Sequence, residues 1–420
     1  MTQLTDAPRI ASAPASPLRL IGAVCGAHFV SHYYIIILAP LLPFVRADYG
    51  VSYTEIGFAL AAFNIVSTVL QTPVGFLIDR LGARLLLVAG LAIGAVAFLL
   101  AGLVDSFWFF VAMFALAGVG NTVYHPADYA LLSRHVPAKH IGQAFSIHTF
   151  CGMVGSALAP PTLLAMQSVW GWRGALIGAG ILGLATAALV LMVREPAGDT
   201  PAQPSPAAGS GAKPGDKAGD KPAAEAVGWT LLLSPPILLN LVFFILLAVM
   251  NSGMNNYSVA ALGVLYATPV AVANTALTAM LVLSAIGVLV GGLVVTRTAL
   301  HAVVAALGIG GMVIAAGAIA AVDPGTVVLI AAMAAFGFCA GIIAPSRDMI
   351  VRDATPEGAF GRVFGFVTTG FNLGGIVAPM IFGALMDHGS PRMVFIGVAA
   401  AALIAILTVI TLPKRRRAAA

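Results

Sequence analysis

Runs of about 20 apolar residues recur along this chain, and no other feature constrains its fold as strongly. They fall at roughly 19–44, 54–78, 84–103, 107–133, 141–167 and 173–193, and after a gap at 231–257, 269–295, 300–321, 325–351, 359–386 and 392–412. About 20 apolar residues at 1.5 Å per residue form a helix long enough to cross the hydrocarbon core of a bilayer. Composition agrees with a lipid environment. Of 420 residues, 60% are hydrophobic and only 9% charged, against about 25% charged in soluble domains. The expected fold class is an all-α membrane protein with twelve transmembrane helices, a lipid bilayer being its main partner.

Net charge is +5, and its placement carries more information than its size. Lys and Arg collect on the cytoplasmic side of membrane proteins. With the N-terminus inside, nearly every basic residue falls in an inner loop or tail. Only Arg46, Arg173 and Arg392 fall outside, and Arg347 lies within a span. The expectation is a multi-pass protein of the inner (plasma) membrane with both termini cytoplasmic. The tail "KRRR" at 414–417 then anchors topology, and no nucleic acid is expected as a partner. Cys25, Cys151 and Cys339 lie in spans and imply no disulfide framework. The first run continues past His28 and His32 to Pro40 without a small-residue cleavage site, so it reads as a retained span.

Residues 194–228 contain Pro, Ala, Gly, Asp and Lys but no aromatic. Such a segment cannot bury a core and reads as a disordered linker. The domain expectation is an N-terminal tail (1–18), a six-helix half (19–193), the cytoplasmic linker (194–228), a second six-helix half (229–412) and a basic tail (413–420). The halves repeat in sequence. Shifted by 219 residues, Gly118 meets Gly337, Pro126 meets Pro345, Gly155 meets Gly374, Pro160 meets Pro379, and Arg173 meets Arg392. Two duplicated, pseudo-symmetric halves imply alternating access around a site at their interface.

The stretch "GFLIDRLGAR" (75–84) follows the second span. Gly75, Asp79, Arg80, Gly82 and Arg84 match the signature loop of the major facilitator superfamily, and the chain as a whole resembles that family. The equivalent loop of the second half keeps Gly292 and Arg297 but has Thr296 in place of the acid. Within the family, "AHFVSH" and "GVGNTVYHPADYA" resemble the fosmidomycin-resistance type of exporter. The resemblance implies that Gly75, Asp79, Arg80, Gly82 and Arg84 form a gate. Asp79 would face the start of span eleven near Gly361, where a helix N-terminus favours an anion, with Arg134 as a partner. The bland alternative is that these residues only cap a helix and set topology. The stretch 152–161 loosely resembles the antiporter motif of drug exporters, though close helix packing explains it equally.

Ionisable residues inside spans are rare and usually face a cavity. Here they are His28 and His32 in span one, His125 and Asp128 in span four, His148 in span five, and Arg347 and Asp348 in span ten. His28 and His32 share a helix face at i, i+4 and are candidates for proton coupling. Two such ligands alone do not make a metal site, so no metal and no cofactor are expected. His148 reads as a packing residue. Asp128 shifted by 219 is Arg347, so these two are expected to face each other across the cytoplasmic half of the cavity and to pair when that side is closed, as a gate or substrate site, the alternative being a permanent packing pair. Asn251, Asn255 and Asn372 are candidates for uncharged substrate contacts, although amides also bind helices together.

Neither a phosphate-binding loop nor a converging nucleophile–base set is present, so no enzyme is expected. The expected function is secondary active transport of a small organic solute by a monomer, with proton-coupled export leading. The alternatives are proton-coupled uptake of an organic anion such as a carboxylate, and a non-transporting sensor with the same fold.

Overall fold

The computed structural model describes residues 17–137, 140–193, 229–356 and 359–411, and within them not the side chains of residues 17, 72, 79, 229 and 360–362. The expected tails, the linker 194–228 and the side chain of Asp79 therefore lie outside the described residues. The described chain is helical throughout, with no strand. In order the helices are α1 (Pro17–Ile36), α2 (Leu42–Tyr49), α3 (Tyr53–Leu81), α4 (Ala83–Leu103), α5 (Phe107–His135), α6 (Ile141–Met192), the short α7 (Trp229–Leu232), α8 (Pro235–Ser252), a π-helix (Gly253–Tyr257), α9 (Ser258–Tyr266), α10 (Val270–Arg297), α11 (His301–Ala321), α12 (Gly325–Ala354), α13 (Phe360–Asp387) and α14 (Arg392–Thr411).

Among the described residues, ten helices are long and apolar enough to cross a membrane. One of them, α6, has 52 residues and is interrupted at Gly171 (φ 70°, ψ 172°). As a straight rod it would be roughly 78 Å long, more than twice a hydrocarbon core. The chain instead reverses there: the first part runs parallel to α1 (Phe29 against Gly155) and the second antiparallel to it (Gly26 against Thr186, Tyr34 against Gly183). Only glycine adopts this positive φ without strain. α6 is thus two crossings, and α1 with its continuation α2 is a further candidate, so the helices accommodate the twelve expected runs while length and composition alone register ten.

The first run departs from expectation. It breaks after Ile36 into a turn closed by Ala39 N–H to the Ile36 carbonyl (3.1 Å) and Leu41 N–H to the Leu38 carbonyl (3.0 Å). Pro40 has no N–H to donate and disfavours a helical residue before it, so α2 starts afresh at Leu42 with Pro in its first turn. We call the membrane side holding Pro17, Gly82 and His135 the near side, and the side holding Gly50, Val104, Gly171 and Gly389 the far side.

The internal repeat has a physical counterpart. A β-carbon at Gly118 of α5 would lie 2.5 Å from the Phe63 carbonyl oxygen of α3. At Gly337 of α12, its mate in the repeat, a β-carbon would collide with the Met280 carbonyl oxygen of α10. Gly155 (against Phe29) and Gly374 (against Ile245 and Ala248) form a second such pair. Lipid tails supply no hydrophobic drive between helices, so close backbone approach at small residues supplies the packing. Arg173 and Arg392 are a third pair. Arg173 donates to the Val104 carbonyl just past α4 (3.3 Å), and Arg392 to the Ala321 carbonyl ending α11 (3.0 Å).

The halves join where α3 packs on α13 and α6 on α10. Along α3–α13, Asp387 accepts from the N–H groups of Tyr53 (2.7 Å) and Thr54 (2.8 Å) and from the Thr54 hydroxyl (2.6 Å). Deeper in, Asn64 donates to the Gly375 carbonyl (3.2 Å) and Asn372 to Gln71 (3.5 Å). Among the described residues, the tightest of these contacts are at the far-side end.

Candidate functional site

The site is built from the hairpin of α5 and α6 and from α1 beside it. Asp128 lies seven residues before the last residue of α5, and His148 seven residues after the first residue of α6. Each is therefore about 10 Å from the near-side turn, and the two meet at one depth. His148 Nε2 is 2.9 Å from Asp128 Oδ2, with both side chains fully buried. His28 of α1 places Nδ1 3.4 Å from the same oxygen. Its ring stacks on His148 with centroids 3.7 Å apart.

Two further imidazoles complete the cluster. His32 lies 4.6 Å and His125 5.1 Å from the His28 ring, centroid to centroid. His32 Nδ1 faces the Ser156 hydroxyl of α6 at 3.3 Å. His125 is exposed, His32 half-buried, and His28 buried. Gly152 makes room for the imidazoles: a β-carbon there would lie 2.5 Å from His28 and 2.9 Å from His32. The cluster thus grades from an open histidine to a buried carboxylate, an arrangement able to hold a proton or a cation away from water.

Asp128 therefore finds its neutralising partners in its own half, not in Arg347. This corrects one expectation, since His148 is a direct partner of the carboxylate and not a packing residue; the permanent Asp128–Arg347 packing pair is absent, and Arg347 is paired elsewhere in this structure. The reason is angular. The repeat places Asp128 and Arg347 at matching depths, but Asp128 faces α1 and α6. Arg347 is matched instead by its neighbour, its Nε donating to Asp348 Oδ1 at 2.8 Å. Asp348, although adjacent in sequence and so about 100° round the helix, reaches back to it. The Arg347 guanidinium also lies 4.9 Å from the Phe244 ring of α8 and 5.2 Å from the Phe371 ring of α13. It is 18% exposed, a fixed cation with apolar walls and, among the described residues, one exposed acidic partner.

The remaining candidates separate. Asn372 bridges the halves through Gln71. Asn251 is exposed on α8 and Asn255 is half-buried in the π-helix. Arg84 donates to the carbonyls of Val190 (3.2 Å) and Leu191, holding the end of α6 within its own half. Gly82 adopts φ 91° between α3 and α4, its N–H bonded to the Ile78 carbonyl (2.9 Å). Arg80 and Arg134 are exposed at helix ends. Sequence reasoning missed Ser156 and undervalued His148. The equal distance of Asp128 and His148 from their shared turn was the signal available for the second; a lone serine carries no signal for the first.

Two repeated helical halves, with a buried ionisable cluster in one and a cation held between aromatic rings in the other, make a multi-pass membrane protein. The chain belongs to the major facilitator superfamily, whose family model matches residues 24–268 and 241–420. It is 33% identical over 140 residues to the probable L-galactonate transporter of Escherichia coli (strain K12), covering 33% of this chain and 31% of that protein. It is 26% identical over 141 residues to the fosmidomycin resistance protein of the same strain, covering 34% of each. These matches span about a third of each relative. In fold it is similar to the nucleoside transporter NupG (D323A mutant), with TM-score 0.73 at 15% identity over 94% of this chain and 100% of that one.

Proposed function

We propose that the chain carries a small organic anion across the inner membrane by alternating access, coupled to protons. Arg347 is the observation that carries this reading. Its guanidinium is held between two aromatic rings with a single, 45% exposed, acidic partner. A carboxylate arriving in the cavity can displace Asp348 and take a two-pronged hydrogen-bonded pair. The Asp128–histidine cluster of the other half supplies the proton carrier, since buried carboxylate and imidazole neutralise each other and exchange protons readily. The 33% identity with a probable L-galactonate transporter supports an organic-acid substrate. The placement of basic residues supports both termini being cytoplasmic, so the near side is the cytoplasm.

The test is uptake of labelled L-galactonate into proteoliposomes under an imposed pH gradient. Uptake should rise when the outside is acidic, and Arg347→Ala should abolish it. No gradient-stimulated flux of any sugar acid would sink the anion reading. A second reading, proton-driven export, is favoured by the similarity to the fosmidomycin resistance protein. Gradient-driven extrusion of fosmidomycin with no sugar-acid flux would select it.

A further inference from the structure

We propose that His28, Asp128 and His148 form a binding site for one divalent first-row transition-metal ion within the N-terminal half. The three side chains come from three helices and are all buried. One donor atom from each lies within 4.8 Å of the others. Ligands about 2.1 Å from a tetrahedral zinc-like ion stand roughly 3.4 Å apart. The two measured edges are 3.4 Å (His28 Nδ1 to Asp128 Oδ2) and 2.9 Å (His148 Nε2 to Asp128 Oδ2). Two of the three edges are thus near ligand spacing, and the third lies within 4.8 Å.

Two observations point to a ligand and not to self-sufficient packing. Asp128 Oδ1 and His28 Nδ1 are buried with no hydrogen-bond partner, which is costly for groups of this polarity. Excess imidazole also gathers beside His28: the His32 and His125 rings stand 4.6 and 5.1 Å from its ring, more histidine than one acid needs for neutralisation. One of them can supply a fourth ligand, and His125, being exposed, lies where an ion would enter. Two imidazole nitrogens and one carboxylate oxygen select zinc, cobalt or nickel over magnesium or calcium, which prefer all-oxygen sites. The inference does not rest on the transport reading, because binding is measured without flux.

The experiment uses the full-length protein purified with a histidine-free tag. Cys25 and Cys151, whose thiols lie in contact, are a competing soft site, so the background carries Cys25→Ser and Cys151→Ser. Co²⁺ titration should give an intense four-coordinate visible band saturating near one equivalent, and Zn²⁺ should displace it. Asp128→Asn and His148→Gln should each weaken binding more than tenfold. His301→Gln, a buried histidine on α11, should leave it unchanged. X-ray absorption on the zinc-loaded protein without ligand substitutions guards against misfolded variants: it should show imidazole scattering with nearest neighbours at about 2.0–2.1 Å. Binding well below one equivalent, binding that survives the Asp128→Asn/His148→Gln pair, or an oxygen-only environment would each overturn the proposal.

Discussion

Asp387→Ala should open the far side of the protein. In the structure this carboxylate, at the end of α13, sits on the start of α3. It accepts from the first two N–H groups of that helix and from the Thr54 hydroxyl, at 2.6–2.8 Å. The third N–H, that of Glu55, is bonded to the Ser52 hydroxyl (3.1 Å). The first two free donors of the α3 N-terminus are therefore met from the opposite half of the molecule and the third from within its own. An acidic cap contributes about 1 kcal/mol relative to alanine, and a charge at the helix N-terminus about 0.3–1 kcal/mol more. The exposure of Asp387 keeps the sum at the modest end, about 1.3–1.5 kcal/mol, or roughly a tenfold shift in the closed-to-open ratio at 1.4 kcal/mol per decade. Thr54→Val removes one bond of the three and should shift the ratio only a few-fold. Spin labels at Leu103 and Val322, exposed far-side positions in opposite halves, report the separation by pulsed electron resonance. The long-distance population should grow in the order parent, Thr54→Val, Asp387→Ala. If Asp387→Ala remains folded with an unchanged distance distribution, the reasoning that this contact latches the halves is refuted.

Other outcomes follow from the same structure. A cysteine introduced into the 194–228 segment should react only with reagents that reach the cytoplasm; labelling from the periplasm would invert the topology. Replacing His28 and His32 together by Gln should abolish pH-gradient-driven uptake while substrate exchange stays measurable, and unchanged driven uptake would move the proton elsewhere. Gly337→Val, which drives two methyl groups and a β-carbon into the Met280 carbonyl, should cost about 1–3 kcal/mol or more and lower the unfolding midpoint of the purified protein; at Gly365, where a β-carbon meets nothing within 4 Å, Ala should leave it unchanged. Arg347→Lys keeps the charge but loses the planar fork, so KM for the anion should rise at least tenfold with a smaller change in kcat; an unchanged KM would remove Arg347 from the substrate site.

Element type was legible because lipid imposes a one-dimensional rule: about 20 apolar residues make a span, and that rule needs no knowledge of neighbours. The repeat was legible for a related reason. Glycines such as Gly118 and Gly337 are required by backbone contact, so their spacing survives in both halves while larger side chains drift. The sequence also marked the ionisable residues of the site, since charge within an apolar run is conspicuous. It did not decide who partners whom. Asp128 could have faced any of several helices, and only packing turned it toward His148 and His28 instead of Arg347. Nor could it decide that α1 stops at Ile36 or that Asp387 reaches α3 across some 330 residues of chain. Those are matters of helix rotation and of the relative placement of two halves. They depend on surfaces brought together in space, where one turn of a helix by 100° exchanges one set of neighbours for another.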